Sequence, residues 1–145
     1  MAPEVVFDQG LGDLFVCRVA GNVLEPHVLG SIEYAVENFG CALVVVLGHQ
    51  RCGAVTDTIA LVDAGETAPG SIQRVVDAIA PVIRGTRREA GDDDYVEEIV
   101  RANASAVAQS LLDQSTIVTD AASDEKLRVV AATYSLDSGK VDLLS

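Results

Sequence analysis

Apolar positions along the chain fall into runs of different period. Leu43-Val44-Val45-Val46-Leu47 is apolar at every position, the pattern of a strand covered on both faces, as in a parallel sheet. Leu14-Phe15-Val16-Cys17-Arg18-Val19 is a second β-rich run, closed by Ala20-Gly21-Asn22, which reads as a turn. Between the two, Ile32, Ala35, Val36 and Phe39 fall at i, i+3, i+4 and i+7. That spacing predicts a helix, with Ser31 as its cap and Gly40 as its left-handed C′ residue. Strand, helix and buried strand make a βαβ unit. The predicted fold class is therefore α/β, a mostly parallel sheet flanked by helices.

The second half reads as more helical. Residues 54–64 and 72–88 have helical apolar spacing, with Pro81 expected to kink or break the latter. Gly91-Asp92-Asp93-Asp94 places carboxylates at the start of a helix reaching about Leu112, where they favour its positive end. A solvated helix start explains that acidic run better than a metal site. Thr116-Ile117-Val118 and residues 127–134 read as strands, and residues 135–140 turn the chain into a last short strand, 141–143.

Composition narrows the class. A chain of 145 residues with no internal repeat or linker is expected to form one domain, residues 1–145, long enough to bury about 70% of its unfolded surface. Hydrophobic content of 49% excludes intrinsic disorder. A net charge of −12 argues against nucleic acid and anionic membranes as partners, since both attract Lys and Arg. No apolar run approaches the ~20 residues of a membrane span, and Met1-Ala2-Pro3-Glu4 carries no basic leader. Three cysteines cannot all pair within one chain, so the expectation is a cytoplasmic protein with free thiols.

Candidate chemistry concentrates in Gly48-His49-Gln50-Arg51-Cys52-Gly53. This stretch follows the buried strand, at the edge where open α/β sheets bind ligands. An imidazole and a soft thiolate three residues apart on a tight turn can reach one ion, and zinc takes N and S ligands. A buried thiol beside a polar loop histidine accounts for the same residues, because two ligands do not make a zinc site. Cys17 alternates with Val16 and Arg18 and so reads as core, on the face opposite Arg18. Cys41 precedes the buried strand, at the wrong edge for His49. His27, after Pro26, reads as a solvated loop residue. Arg18 sits inside an apolar strand and needs a partner: a structural salt bridge or a bound anion.

Three segments carry a resemblance. Residues 8–22 (DQGLGDLFVCRVAGN), 30–37 (GSIEYAVE) and 46–55 (VLGHQRCGAV) resemble the β-class carbonic anhydrases in their bacterial form. The tail Tyr134-Ser135-Leu136-Asp137-Ser138-Gly139-Lys140-Val141 is similar to that family's closing hairpin. The resemblance implies zinc-dependent, reversible hydration of carbon dioxide to bicarbonate and a proton. A bound zinc lowers the pKa of its water toward 7 and makes hydroxide available at neutral pH. It implies His49 and Cys52 as two of three zinc ligands and Gly53 as a backbone N–H donor to substrate. It also implies Arg18 as a bicarbonate-binding residue, Gln9 near the substrate pocket, and a homodimer or tetramer.

One part of the pattern is missing. The family's third ligand belongs to a Cys-x-Asp-Ser-Arg motif on a first, central strand, and its Asp–Arg dyad orients the zinc-bound hydroxide. The matching region here begins at Met1, directly after that motif, so no catalytic dyad is assigned. The expected reading is an N-terminally truncated member. Met1 then stands where relatives carry Val, whose GTG codon also serves as a bacterial start. As written, the chain is expected to hold zinc weakly and turn over slowly. The alternative is a carbonic anhydrase-like binding protein without metal.

Overall fold

The computed structural model describes residues 2–87 and 94–144. Helix α1 spans Pro3–Val6, and a single 3₁₀ turn covers Ala20–Asn22. Then come α2 (Pro26–Phe39), β1 (Leu43–His49), α3 (Gly53–Ala64), α4 (Ile72–Gly85), α5 (Tyr95–Gln114), α6 (Thr116–Ser123), β2 (Arg128–Tyr134) and β3 (Val141–Leu144). The α/β class holds, but the sheet is small and mixed. β1 pairs in parallel with β2, from Leu43 opposite Arg128 to His49 opposite Tyr134. β2 pairs antiparallel with β3, from Ala131 opposite Leu144 to Tyr134 opposite Val141.

Several expectations are corrected. Residues 14–19 form no strand; they run as an irregular segment into the 3₁₀ turn. Among the described residues, β1 has a neighbour on one side only. Its burial is accordingly partial rather than two-sided, with Leu43 55% exposed. A β-propensity run becomes a strand only when its ladder groups find partners. For the same reason Cys17, read as core, is exposed.

Residues 116–118, read as strand, open α6 instead. Ser115 caps that helix by accepting the Val118 N–H at 3.2 Å, and Val118 is fully buried against the Leu111 and Leu127 region. The cap and the burial of one helical face outweigh the β preference of Thr-Ile-Val. α2 begins at Pro26, five residues before Ser31, whose hydroxyl instead donates to the His27 carbonyl from within the helix. His27 is thus helical rather than in a loop, and exposed as expected. Gly40 ends α2 at φ 61°. Pro81 sits inside α4 without ending it; the helix runs four residues further. Burial of Ile79, Ala80 and Ile83 in one stripe offsets the hydrogen bond that proline removes. The residues predicted to start α5, 91–93, lie outside the described residues; Asp94 is its N-cap position.

Two apolar clusters hold these parts together. One packs Val55, Ile59, Ile79, Ile83, Ile99 and Val100 between α3, α4 and α5. The other packs Val46, Ala104, Leu111, Val118, Leu127 and Ala131 between the sheet, α5 and α6. Helix α5 belongs to both, and so it decides where β1 ends relative to where α3 begins.

Candidate active site

The carboxyl end of β1 and the start of α3 are joined by three residues, Gln50, Arg51 and Cys52. His49 is the last residue of β1 and half-buried, while Cys52 is the buried N-cap of α3. Imidazole Nδ1 of His49 lies 3.1 Å from the Gln50 carbonyl. A donated bond there fixes the tautomer and leaves Nε2 as the free lone pair. The two residues named from the sequence therefore flank one tight turn.

That turn is held from three directions. The Gln50 N–H donates to the Tyr134 carbonyl at 2.9 Å, carrying the β1–β2 ladder one step beyond the strand. The Gln50 side chain donates to Asp137 at 2.8 Å and accepts from the Asp137 N–H at 3.2 Å. Arg51 adopts φ 54°, a left-handed conformation costly for a side chain with a Cβ. Its backbone N–H donates to Glu97 Oε1 of α5 at 2.7 Å. Such a charge-assisted bond contributes on the order of 1.5–3 kcal/mol, enough to offset a strained residue of about 1–3 kcal/mol.

The Arg51 guanidinium also forks onto Asp137, at 2.9 Å and 3.1 Å. The bond and charge of Asp137 hold that guanidinium above its ordinary pKa, and the same bond, with one from Gln50, holds the Asp137 carboxyl below the usual range. Both side chains are more than half exposed, so this pair tethers the turn weakly.

Gly48 explains how α5 comes so close. A Cβ at that position would stand 2.9 Å from Val100 Cγ1 and 3.4 Å from the Val100 carbonyl oxygen. Three residues along the same helix, Asn103 is buried and donates to the Gly21 carbonyl at 2.9 Å. Gly21 in turn lies close to α3: a Cβ there would stand 3.5 Å from Cβ of Ala54, two residues after Cys52. Glu97 and Asn103 carry no local motif that would have singled them out; only the i, i+3, i+6 stripe with Val100 hints at a shared face.

The remaining candidates lie apart. Arg18 and Cys17 are exposed on the irregular segment, and Arg18 forms no ion pair among the described residues. Partial desolvation pushes the Cys17 thiol up, against thiolate formation. Cys41 is half-buried just before β1, at the far end of the strand from His49. The Gln9 amide donates to its own neighbours, the Phe7 and Asp8 carbonyls. Gly53 opens α3, with open space where a Cβ would be. Among the described residues no group of three His, Cys, Asp or Glu side chains could hold a metal. A cavity of about 460 Å³ lies beside the turn, lined by Gln50, Glu97, Arg101, Thr133 and Tyr134 among others, and neither His49 nor Cys52 faces it.

The sequence profile of the carbonic anhydrase family matches residues 1–141. The chain belongs to the β-class carbonic anhydrases. It is 38% identical over 143 residues to carbonic anhydrase 2 of Mycobacterium tuberculosis, covering 99% of this chain and 68% of that one. It is 40% identical over 145 residues to the carbonic anhydrase of Mycolicibacterium smegmatis, covering 100% and 69%. In three dimensions it resembles one of two tetrameric β-carbonic anhydrases from Sordaria macrospora (TM-score 0.86, 19% identity, covering 99% of this chain and 74% of that one). It also resembles a Coccomyxa β-carbonic anhydrase solved with acetazolamide (TM-score 0.85, 21% identity, covering 99% and 66%). A three-stranded sheet with one unpaired edge on β1 is consistent with a β-carbonic anhydrase fold that lacks its first central strand.

Proposed function

We propose that this chain carries part of a zinc site for the reversible hydration of carbon dioxide to bicarbonate and a proton, with His49 and Cys52 as two ligands. The observation that supports this most is their placement at either end of one braced turn, at the carboxyl edge of the sheet. A ring nitrogen and a buried sulfur are the donor types zinc prefers. They fit half of a catalytic site, which takes three protein ligands and leaves a fourth position open. No third ligand stands with them among the described residues. When bound, zinc supplies a hydroxide nucleophile at neutral pH.

Around it, the chain's own groups have separate roles. The Gly53 N–H, at the start of α3, donates to a substrate oxygen, where the positive end of the helix favours negative charge. Arg18 supplies a cation for bicarbonate. It is exposed on the irregular segment 14–19 and has no ion-pair partner among the described residues. The chain acts in the cytoplasm, in keeping with three free thiols, and assembles as a homodimer or tetramer. Among the described residues no helix is long and apolar enough to cross a membrane.

With two ligands in place of three, the 145-residue chain should hold zinc weakly and turn over slowly. Metal analysis of the purified chain and stopped-flow carbon dioxide hydration test this. Expected are substoichiometric zinc, its further loss in His49→Ala and Cys52→Ser, and a slow rate. One tightly held zinc per chain with rapid turnover would overturn the expected impairment. Zinc content unchanged in both variants would overturn the ligand assignment. A second reading is a carbonic anhydrase-like binding protein without zinc; absence of any metal uptake at saturating zinc would favour it.

A further inference from the structure

Helix α5 meets the turn that separates His49 from Cys52 at Arg51, and packs on the strand that leads into it. Glu97, Val100 and Asn103 recur at i, i+3 and i+6 and so share one face. Val100 abuts Gly48, the residue before His49. Asn103 holds the Gly21 carbonyl, and a Cβ at Gly21 would stand 3.5 Å from Cβ of Ala54, two residues after Cys52. Between these two supports, Glu97 Oε1 accepts the backbone N–H of Arg51 at 2.7 Å. Arg51 is the residue immediately before Cys52, and its φ of 54° sets the direction in which the chain enters α3. Relaxing that residue toward ordinary negative φ would redirect the backbone into α3 and change the separation of the two side chains.

We propose that Glu97 is a positioning residue: by holding the Arg51 N–H, its carboxylate fixes the left-handed turn that sets His49 and Cys52 at a ligating separation. The proposal rests on the assignment of those two residues as metal ligands. Glu97 acts through the backbone and touches neither of them. Its neighbour Glu98 is exposed and shares its place in the first turn of α5, so it serves as the matched control for helix-end charge. A positioning role needs only an acceptor at Oε1. A charge effect on the helix or the metal needs the negative charge itself. Gln keeps the first and removes the second.

The test is a titration of the full 145-residue chain with Co²⁺, read from the thiolate-to-metal charge-transfer absorption. Hydrogen exchange of the Arg51 amide is followed by NMR in the metal-free chain. Glu97→Ala should weaken Co²⁺ binding about 10-fold or more, the usual scale for partners that orient a ligand, and should speed Arg51 amide exchange. Glu97→Gln should restore both nearly to the parent, and Glu98→Ala should leave both unchanged. Parental Co²⁺ affinity in Glu97→Ala would overturn the proposal while leaving the ligand assignment standing. So would a loss in Glu97→Gln equal to that in Glu97→Ala, which would assign the effect to charge. No charge-transfer band in the parent at saturating Co²⁺ would instead overturn the ligand assignment, and the positioning role with it. Thermal unfolding of each metal-free variant separates these outcomes from loss of fold.

Discussion

Residues 14–19 and 43–47 are both short, apolar and rich in β-formers, yet only the second is a strand. Leu43–Leu47 meets Arg128–Ala132 residue for residue, and its inner positions pack on α5. Leu14–Val19 has the composition without a partner; Phe15 and Val19 remain nearly half exposed. Phe15 makes a ring contact with Phe39, at 5.9 Å between centroids. Local preference is worth about 1 kcal/mol at most across the whole scale, less than the hydrogen bonds and burial a neighbouring strand supplies. The same contrast separates the two halves of the candidate site. The turn at 49–52 is fixed by α5 and the 135–138 turn, whereas Arg18 has no ion-pair partner among the described residues.

The contrast is most severely tested at the helix that supports the paired run. Leu111 is fully buried beside Val46 and Ala131, and Leu111→Ala should cost about 2–5 kcal/mol in urea unfolding. Gly48→Ala should cost about 1–3 kcal/mol, because the new Cβ meets Val100 at 2.9 Å and the backbone behind it leaves little room to shift. Ser115→Ala should cost about 0.5–2 kcal/mol and reduce helical circular dichroism, since it removes the cap that makes 116–123 a helix. In the unpaired run, Cys17→Ser should fall within about 0.5 kcal/mol of the parent and leave any bound metal in place. A large loss of either would show that 14–19 is tied down after all.

The smallest effect concerns pH. The Asp137 carboxyl is held below its ordinary value, mainly by its bond from Arg51, so it favours the folded state once ionised. That contribution is present above the unfolded carboxylate pKa of about 3.9 and is lost as pH falls through the lower folded value. Asp137→Asn should therefore narrow the stability difference between neutral and acid pH, and added salt should erase the effect. An unchanged acid limb of the unfolding curve would show the fork is not maintained in solution.

Much of the helical architecture was legible because it rests on local rules. Gly40 ends α2 in the left-handed region as expected, and the apolar spacing of 54–64 and 72–88 predicts the helices found as Gly53–Ala64 and Ile72–Gly85. His49 and Cys52 could be named from two glycines, a strand end and a familiar motif. Residues 116–118 misled because three β-branched or apolar residues look alike in a strand and in a capped helix; only the burial of Val118 against Leu111 and Leu127 separates them. Pro81 does not end α4: the local cost of a proline is visible in the sequence and the packing that offsets it is not.

Residue order alone thus carried the family, the α/β class, the left-handed end of α2 at Gly40 and the two candidate ligands, all of which depend on neighbours within a few positions. Which β-rich run became a strand, how Arg51 is held left-handed, and why Glu97, Val100 and Asn103 matter depended on contacts between residues some 46 to 85 positions apart. Such contacts exist only once the chain has closed on itself. Their partners are chosen by geometry and burial, which no local spacing encodes.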